Sequence, residues 1–185
     1  MNRYWEPRLG AFIVQVLPGE LYVTPEELVI STVLGSCVSA CVRDARRRVG
    51  GINHFMLPDV LRGDEGDSAR YGVYALECLV NQVLGSRGSR ADLEAKVFGG
   101  GRVISAGGDV GRSNIELVRR FLGDEGIPVL AEDLGDQFAR RVRYWPTTGR
   151  AQVSRIPMTS ATEVVATERR AARKMTTPPS TVELF

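Results

Sequence analysis

A single histidine, three cysteines and almost no charge imbalance are what this chain has least of, and each shortage removes a class of function. Cysteines at 37, 41 and 78 make an odd count at irregular spacing, which argues against a disulfide framework, and no paired C-x-x-C suggests a structural zinc set. Lys and Arg number 24 against 22 Asp and Glu, and a formal net charge of +2 is too weak a field for a nucleic-acid partner spread over the surface. No apolar run approaches the roughly 20 residues that span a bilayer, and the chain opens without a charged segment leading into an apolar stretch. The expectation is a cytoplasmic protein with reduced thiols and no direct membrane insertion.

What remains is ordinary globular material: 185 residues, 43% hydrophobic and 25% charged, enough for one real core. Short apolar runs between Leu9 and Val33, punctuated by Pro18-Gly19 and Thr24-Pro25, read as strands. Val38 to Val42 and Val49 to Leu57 flank a polar turn and read as a β-hairpin. The segment from Arg62 to Ser68 is polar and glycine-containing and reads as a loop. Leu76, Leu79, Val80, Val83 and Leu84 recur at helical spacing up to Gly85. Leu93 to Ile104 reads as a strand interrupted by Gly99-Gly100-Gly101, where bare backbone permits a close approach to something else. Ser113-Asn114-Ile115-Glu116 has the capping-box pattern of a helix start. Ile127 to Leu130 and Arg141 to Trp145 read as strands. Thr159 to Met175 reads as a helix followed by a tail, in a region where Arg150, Arg155, Arg169, Arg170, Arg173 and Lys174 against Glu163 and Glu168 hold most of the positive excess, a solvated face or else a surface for an acidic partner. The division expected is 1–154 for a main domain and 155–185 for a C-terminal helical extension.

His54 is the one imidazole, so a mechanism with an imidazole base must use it. Cysteine is the nucleophile to pair with it, because a neighbouring imidazolium lowers a thiol's pKa toward neutrality. A hairpin closing around Asp44 to Arg47 with an even-numbered loop puts Cys37 directly across from His54, within reach of it, and Cys41 across from Gly50, whereas an odd-numbered loop or a bulge at Gly50-Gly51 shifts the register by one residue. Cys37 also follows Leu34-Gly35-Ser36, where the glycine's conformational freedom can set the next side chain and its amide at the mouth of a cleft, with backbone N–H groups able to hold an oxyanion. Cys41 and Cys78 read as packing residues. Ser31 shares strand parity with Cys37 if the chain from 31 to 37 is extended, which makes it the candidate third member, with Thr32 pointing away. Asn53 is a rival for orienting the imidazole, although its facing is opposite.

Further motifs accompany these residues: Leu34-Gly35-Ser36-Cys37-Val38-Ser39-Ala40-Cys41, Gly51-Ile52-Asn53-His54-Phe55-Met56-Leu57-Pro58, Arg70-Tyr71-Gly72 and Ala95-Lys96-Val97-Phe98-Gly99-Gly100. Gly111-Arg112-Ser113-Asn114, Ala131-Glu132-Asp133-Leu134-Gly135 and Thr147-Thr148-Gly149-Arg150 follow in order. Together, over roughly residues 10 to 151, they resemble the chemoreceptor glutamine deamidase family, CheD. The resemblance implies an α/β fold, a layered mixed β-sheet with flanking helices related to toxin-type cysteine deamidases, here with a C-terminal helix and tail.

It also implies an activity: hydrolysis of selected glutamines of methyl-accepting chemotaxis receptors to glutamate, through a thioester and with release of ammonia. The family's nucleophile matches Cys37 and its base matches His54. The family's threonine falls on Ser31, with Thr32 as a conceivable substitute. No cofactor or metal is required, and a CheC-type phosphatase is a further partner of the family. Two other readings use the same residues: a binding module for the phosphatase or receptor with no chemistry, and a receptor methylesterase. The chain departs from the family pattern at Asp136 and Ala139, where glycines are usual, and the ending Thr181 to Phe185 has the acidic and aromatic character of a docking peptide.

Overall fold

The computed structural model describes residues 1–57, 65–103, 110–157, 164, 166–168, 170 and 171. Among the described residues, ten strands and two long helices are arranged in three layers. One sheet has the order β1-β2-β4-β9-β10 and the other β3-β6-β5-β7-β8. The first comprises β1 (Asn2–Glu6), β2 (Ala11–Gln15), β4 (Val29–Leu34), β9 (Ala139–Trp145) and β10 (Arg150–Ile156). The second comprises β3 (Leu21–Thr24), β5 (Val38–Asp44), β6 (Val49–Asn53), β7 (Leu93–Gly99) and β8 (Val129–Leu134). Both sheets are mixed, since β2 runs parallel to β4 and β7 parallel to β8 while the other pairs are antiparallel. The layered mixed β-sheet with flanking helices that the resemblance implied is present, as two stacked sheets with the helices on one side.

The second sheet is the middle layer, and β5 shows why. Its alternate residues Val38, Ala40 and Val42 pack with Leu76, Leu79, Val80 and Val83 of α1 (Glu65–Leu84) and with Leu117, Val118 and Leu122 of α2 (Val110–Asp124). Its other face carries Cys41, which joins Ile52 and Phe98 against Val14, Ile30, Leu34, Val142 and Tyr144 of the first sheet. A strand buried on both faces has to read as a nearly continuous small or apolar run, and Val38 to Val42 does. Each fully buried Leu or Val side chain in these layers contributes about 1.5–3 kcal/mol.

Several sequence expectations are corrected. The β5–β6 hairpin pairs Asp44 with Val49 and Cys41 with Ile52, so Cys41 does not face Gly50. Buried Asp44 accepts the Arg47 amide at 2.8 Å, and Arg48 adopts a left-handed φ of 57°, which takes Arg48 into the turn. The register moves by two residues, so facing parity survives and Cys37 lies diagonal to His54. Helix α2 starts at Val110, three positions before the capping box at Ser113. Residues 65 to 68 of the expected loop are helical in α1, while 62 to 64 lie outside the described residues. β1 and β10 were not legible as strands. Asp136 takes the left-handed φ of 62° that a glycine would adopt freely, and Ala139 is buried. Among the described residues no helix is long and apolar enough to cross a membrane. The tail from 172 to 185 lies outside the described residues.

Candidate functional site

The site gathers where β4 leaves the first sheet and β5 enters the second. β4 ends at Leu34, and the chain bends through Gly35 and Ser36 before β5 begins at Val38. That bend is anchored by the glycine run after β7. Gly100 N–H donates to the Cys37 carbonyl and Gly101 N–H to the Gly35 carbonyl, each at 2.8 Å. Gly99 has a φ of 113°, and a Cβ there would collide with the Cys37 carbonyl oxygen, so the approach requires glycine. The close approach expected of this run is thus made to the loop carrying Cys37. Asn114 of α2 braces the same loop, donating to the Ser36 carbonyl at 3.0 Å and accepting the Leu57 amide at 2.8 Å.

Cys37 is 0% exposed, and His54, just past β6, is also buried. Thiol sulfur, a ring nitrogen and a Glu168 carboxylate oxygen lie within 4.8 Å of one another. The Oγ1 of Thr32 is 2.8 Å from His54 Nδ1 and donates its own hydrogen to the Val16 carbonyl at 2.8 Å. Nδ1 must then be the donor in the contact with Thr32, which leaves the Nε2 lone pair free as a base. Nε2 is buried and has no hydrogen-bond partner among the described residues.

The hydroxyl that meets the imidazole is therefore that of Thr32 and not that of Ser31, which donates to the Val142 carbonyl at 3.1 Å. The parity argument from Cys37 fails because the bend at 35 and 36 breaks the extended run. Asn53 points to the helical side, where it accepts the Ala40 amide at 2.9 Å and donates to the Ala75 carbonyl at 3.3 Å. Tyr71, from the Arg70-Tyr71-Gly72 motif, lines a cleft of about 100 Å³ with Glu20, His54, Tyr74 and Cys78. Cys37 is not among the residues lining that cleft.

Sequence reasoning missed Glu168, expected on a solvated helix. It is 1% exposed. Its Oε1 accepts the Gly35 amide at 2.7 Å and the Cys37 amide at 3.2 Å, and its Oε2 accepts the Ser36 amide at 3.0 Å and the Ser36 hydroxyl at 2.9 Å. Nothing local in the sequence signals a contact between residues 132 positions apart.

Burial pushes the Cys37 thiol well above its usual value, and the adjacent Glu168 charge pushes it further. Burial lowers His54 to about 4, against a smaller upward pull from Glu168 and from the Val16 carbonyl. Both groups are neutral in this arrangement. Cys37, His54 and Glu168 are also ligand types for a soft divalent cation. The three amide N–H groups aimed at the carboxylate, however, form a cradle for an anion.

A thiol, an imidazole with a free nitrogen and an N–H cradle beside them are the parts of a cysteine-dependent acyl-transfer site. That is the class the fold and the site define. A family model described as CheD chemotactic sensory transduction matches residues 56–155. A protein of Halorhodospira halophila, named probable chemoreceptor glutamine deamidase CheD, is 46% identical over 100% of this chain and 90% of its own length. A protein of the same name from Bordetella petrii is 48% identical over 100% of this chain and 87% of its own. A third, from Hahella chejuensis, is 45% identical over 84% of this chain and 76% of its own. The chain belongs to the CheD family. Among solved structures, the Bacillus licheniformis hypothetical protein YfiH overlaps 60% of this chain and 49% of that one, with a TM-score of 0.40 and 15% identity.

Proposed function

We propose that this chain is a protein-glutamine deamidase that converts glutamine side chains of chemoreceptors to glutamate, with Cys37 as nucleophile and His54 as base. The observation that carries the reading is the buried thiol within 4.8 Å of an imidazole nitrogen, beside the amides of Gly35, Ser36 and Cys37. The names of the relatives supply the substrate class.

In this mechanism His54 Nε2 takes the Cys37 proton as sulfur attacks the carboxamide carbon. The oxygen that gains charge is held by the N–H cradle. The C–N bond breaks, and the nitrogen leaves as ammonia with the proton from His54, giving a thioester. Water, deprotonated by His54, then attacks the thioester, and the products are glutamate and the restored thiol. Thr32 takes the third place that the family resemblance put at Ser31, holding the imidazole in the Nδ1–H form through its 2.8 Å contact.

The reaction takes place in the cytoplasm, where the receptor's signalling domain lies, and residues 1–154 are the unit that performs it. A CheC-type phosphatase is a second partner under this reading. Incubating a receptor cytoplasmic fragment with the protein tests the activity. A gain of about 1 Da at defined glutamines, with ammonia and not methanol released and no gain with Cys37→Ala or His54→Ala, is the expected result. An unchanged receptor from the same organism overturns the reading in favour of a binding module, and methanol release overturns it in favour of a methylesterase.

A further inference from the structure

Glu168 sits where a substrate's reacting group has to be. Its carboxylate occupies all three N–H groups of the Gly35-Ser36-Cys37 cradle and the Ser36 hydroxyl, within 4.8 Å of the Cys37 sulfur and a His54 nitrogen. A buried carboxylate is costly unless it is fully hydrogen-bonded, and the donors that satisfy this one are those the chemistry needs. Glu168 makes no hydrogen bond to His54, whose Nδ1 is already engaged by Thr32, so it does not orient the imidazole. Nor does it help the thiol ionise, since its negative charge opposes a thiolate.

The residues that deliver it have an apolar seat besides the cradle's hydrogen bonds. Val164, four positions before Glu168, packs against Val103 and Ala139, as Ile156 does. The loop is shaped to receive the carboxylate: a Cβ at Gly35 would stand 2.8 Å from Glu168 Oε2 and 2.7 Å from Val103 Cγ2. Glutamate has the side-chain length of glutamine and is what deamidated glutamine becomes.

We propose that the C-terminal helix is an internal competitor of the substrate, inserting Glu168 into the acyl site as a tethered mimic of the glutamate product and holding the enzyme closed until the helix is displaced. The mimicry half rests on the deamidase reading, while the occupancy half does not. Tethering gives the carboxylate a local concentration near the millimolar range, so a receptor glutamine enters only after the helix gives way. While Glu168 is in place, Cys37 is covered and its thiol is kept protonated by burial and by the carboxylate charge.

The test compares full-length wild type with Glu168→Ala, Glu168→Gln and Val164→Asp. The last loosens the apolar seat and leaves every hydrogen-bonding group of the cradle in place. Peptide-resolved mass spectrometry after iodoacetamide reads Cys37 apart from Cys41 and Cys78. We expect Cys37 alkylation and receptor deamidation both to rise about tenfold or more in Glu168→Ala and in Val164→Asp. In Glu168→Gln the introduced carboxamide is attacked by Cys37, loses ammonia and is hydrolysed to glutamate, a gain of about 1 Da at residue 168 that the added Cys37→Ala abolishes.

Cys37 alkylation unchanged in both opened variants overturns the proposal. Loss of receptor deamidation in Glu168→Ala, with Val164→Asp also impaired, overturns it in favour of a catalytic Glu168. A Glu168→Gln protein that deamidates receptor but leaves its own residue 168 unconverted overturns the mimicry half. Faster alkylation in both opened variants, with receptor and residue 168 untouched by any protein, keeps Glu168 as occupant and overturns instead the deamidase reading.

Discussion

Strand β5 and the residue that leads into it carry two buried thiols four positions apart, and their surroundings differ. Cys41 lies in mid-strand, opposite Ile52 and Lys96, within the apolar layer between the sheets. Burial drives its thiol up, opposed only by the smaller pull of the Lys96 charge. Cys37 lies at the entrance to the strand, is equally buried and shares the same apolar cluster, yet it also sits beside the local amide donors and near an imidazole and a carboxylate from elsewhere in the chain. Burial by fixed apolar neighbours gives an inert thiol. Burial by a removable partner gives one that can be switched, because the neighbours that remain are polar and preorganised.

The sharpest way to break this comparison is to remove each sulfur in turn. Cys37→Ala should lower receptor deamidation by about 10⁴-fold or more, while Cys41→Ala leaves the turnover of folded protein intact and costs roughly 1–2 kcal/mol in urea unfolding. Equal loss of turnover in both would erase the distinction. Next in size is the brace at the entrance. Asn114→Ala strands the Leu57 amide and the Ser36 carbonyl and should destabilise by about 2–4 kcal/mol in the same measurement, with Cys37 becoming easier to alkylate.

Acid probes the same end of the strand. The folded-state pKa of His54, about 4, lies below the usual 6.5, so the unfolded chain binds the extra proton. The contribution of neutral His54 is complete above about pH 6.5 and is lost as the pH falls through about 4, on the order of 2–3 kcal/mol. Stability measured against pH should fall over that window, and His54→Gln should remove that part of the slope. The smallest effect separates two adjacent hydroxyls. Thr32→Val should reduce kcat by about 10–100-fold, while Ser31→Ala changes it less than about threefold. The opposite ranking would return the role to Ser31.

Much of this was legible where the signal is local. The stripe from Leu76 to Val83 is the buried face of α1, and Gly85, with a φ of 49°, follows its end. The run of small and β-branched residues at 38 to 42 is a strand, and the triple glycine marks a close backbone approach. The hairpin was legible as a hairpin but not in its register, because the turn's length depends on a left-handed Arg48, and arginine carries no signal for that conformation. Likewise Ser113 and Glu116 have the capping pattern, but the helix extends back to Val110, where packing outweighs a local cap.

By itself the sequence determined the inventory: one imidazole at 54, a cysteine after Leu34-Gly35-Ser36, helical and strand periodicities, and an ordered set of motifs long enough to mark a family. Only the tertiary structure decided which hydroxyl meets His54, since that depends on how β4 of one sheet faces the end of β6 in the other. It also decided that Glu168 enters the cradle at residues 35 to 37. Periodicity reports which face of an element is buried, but not which distant group it meets there, because that pairing is set by how layers and chain ends close in space.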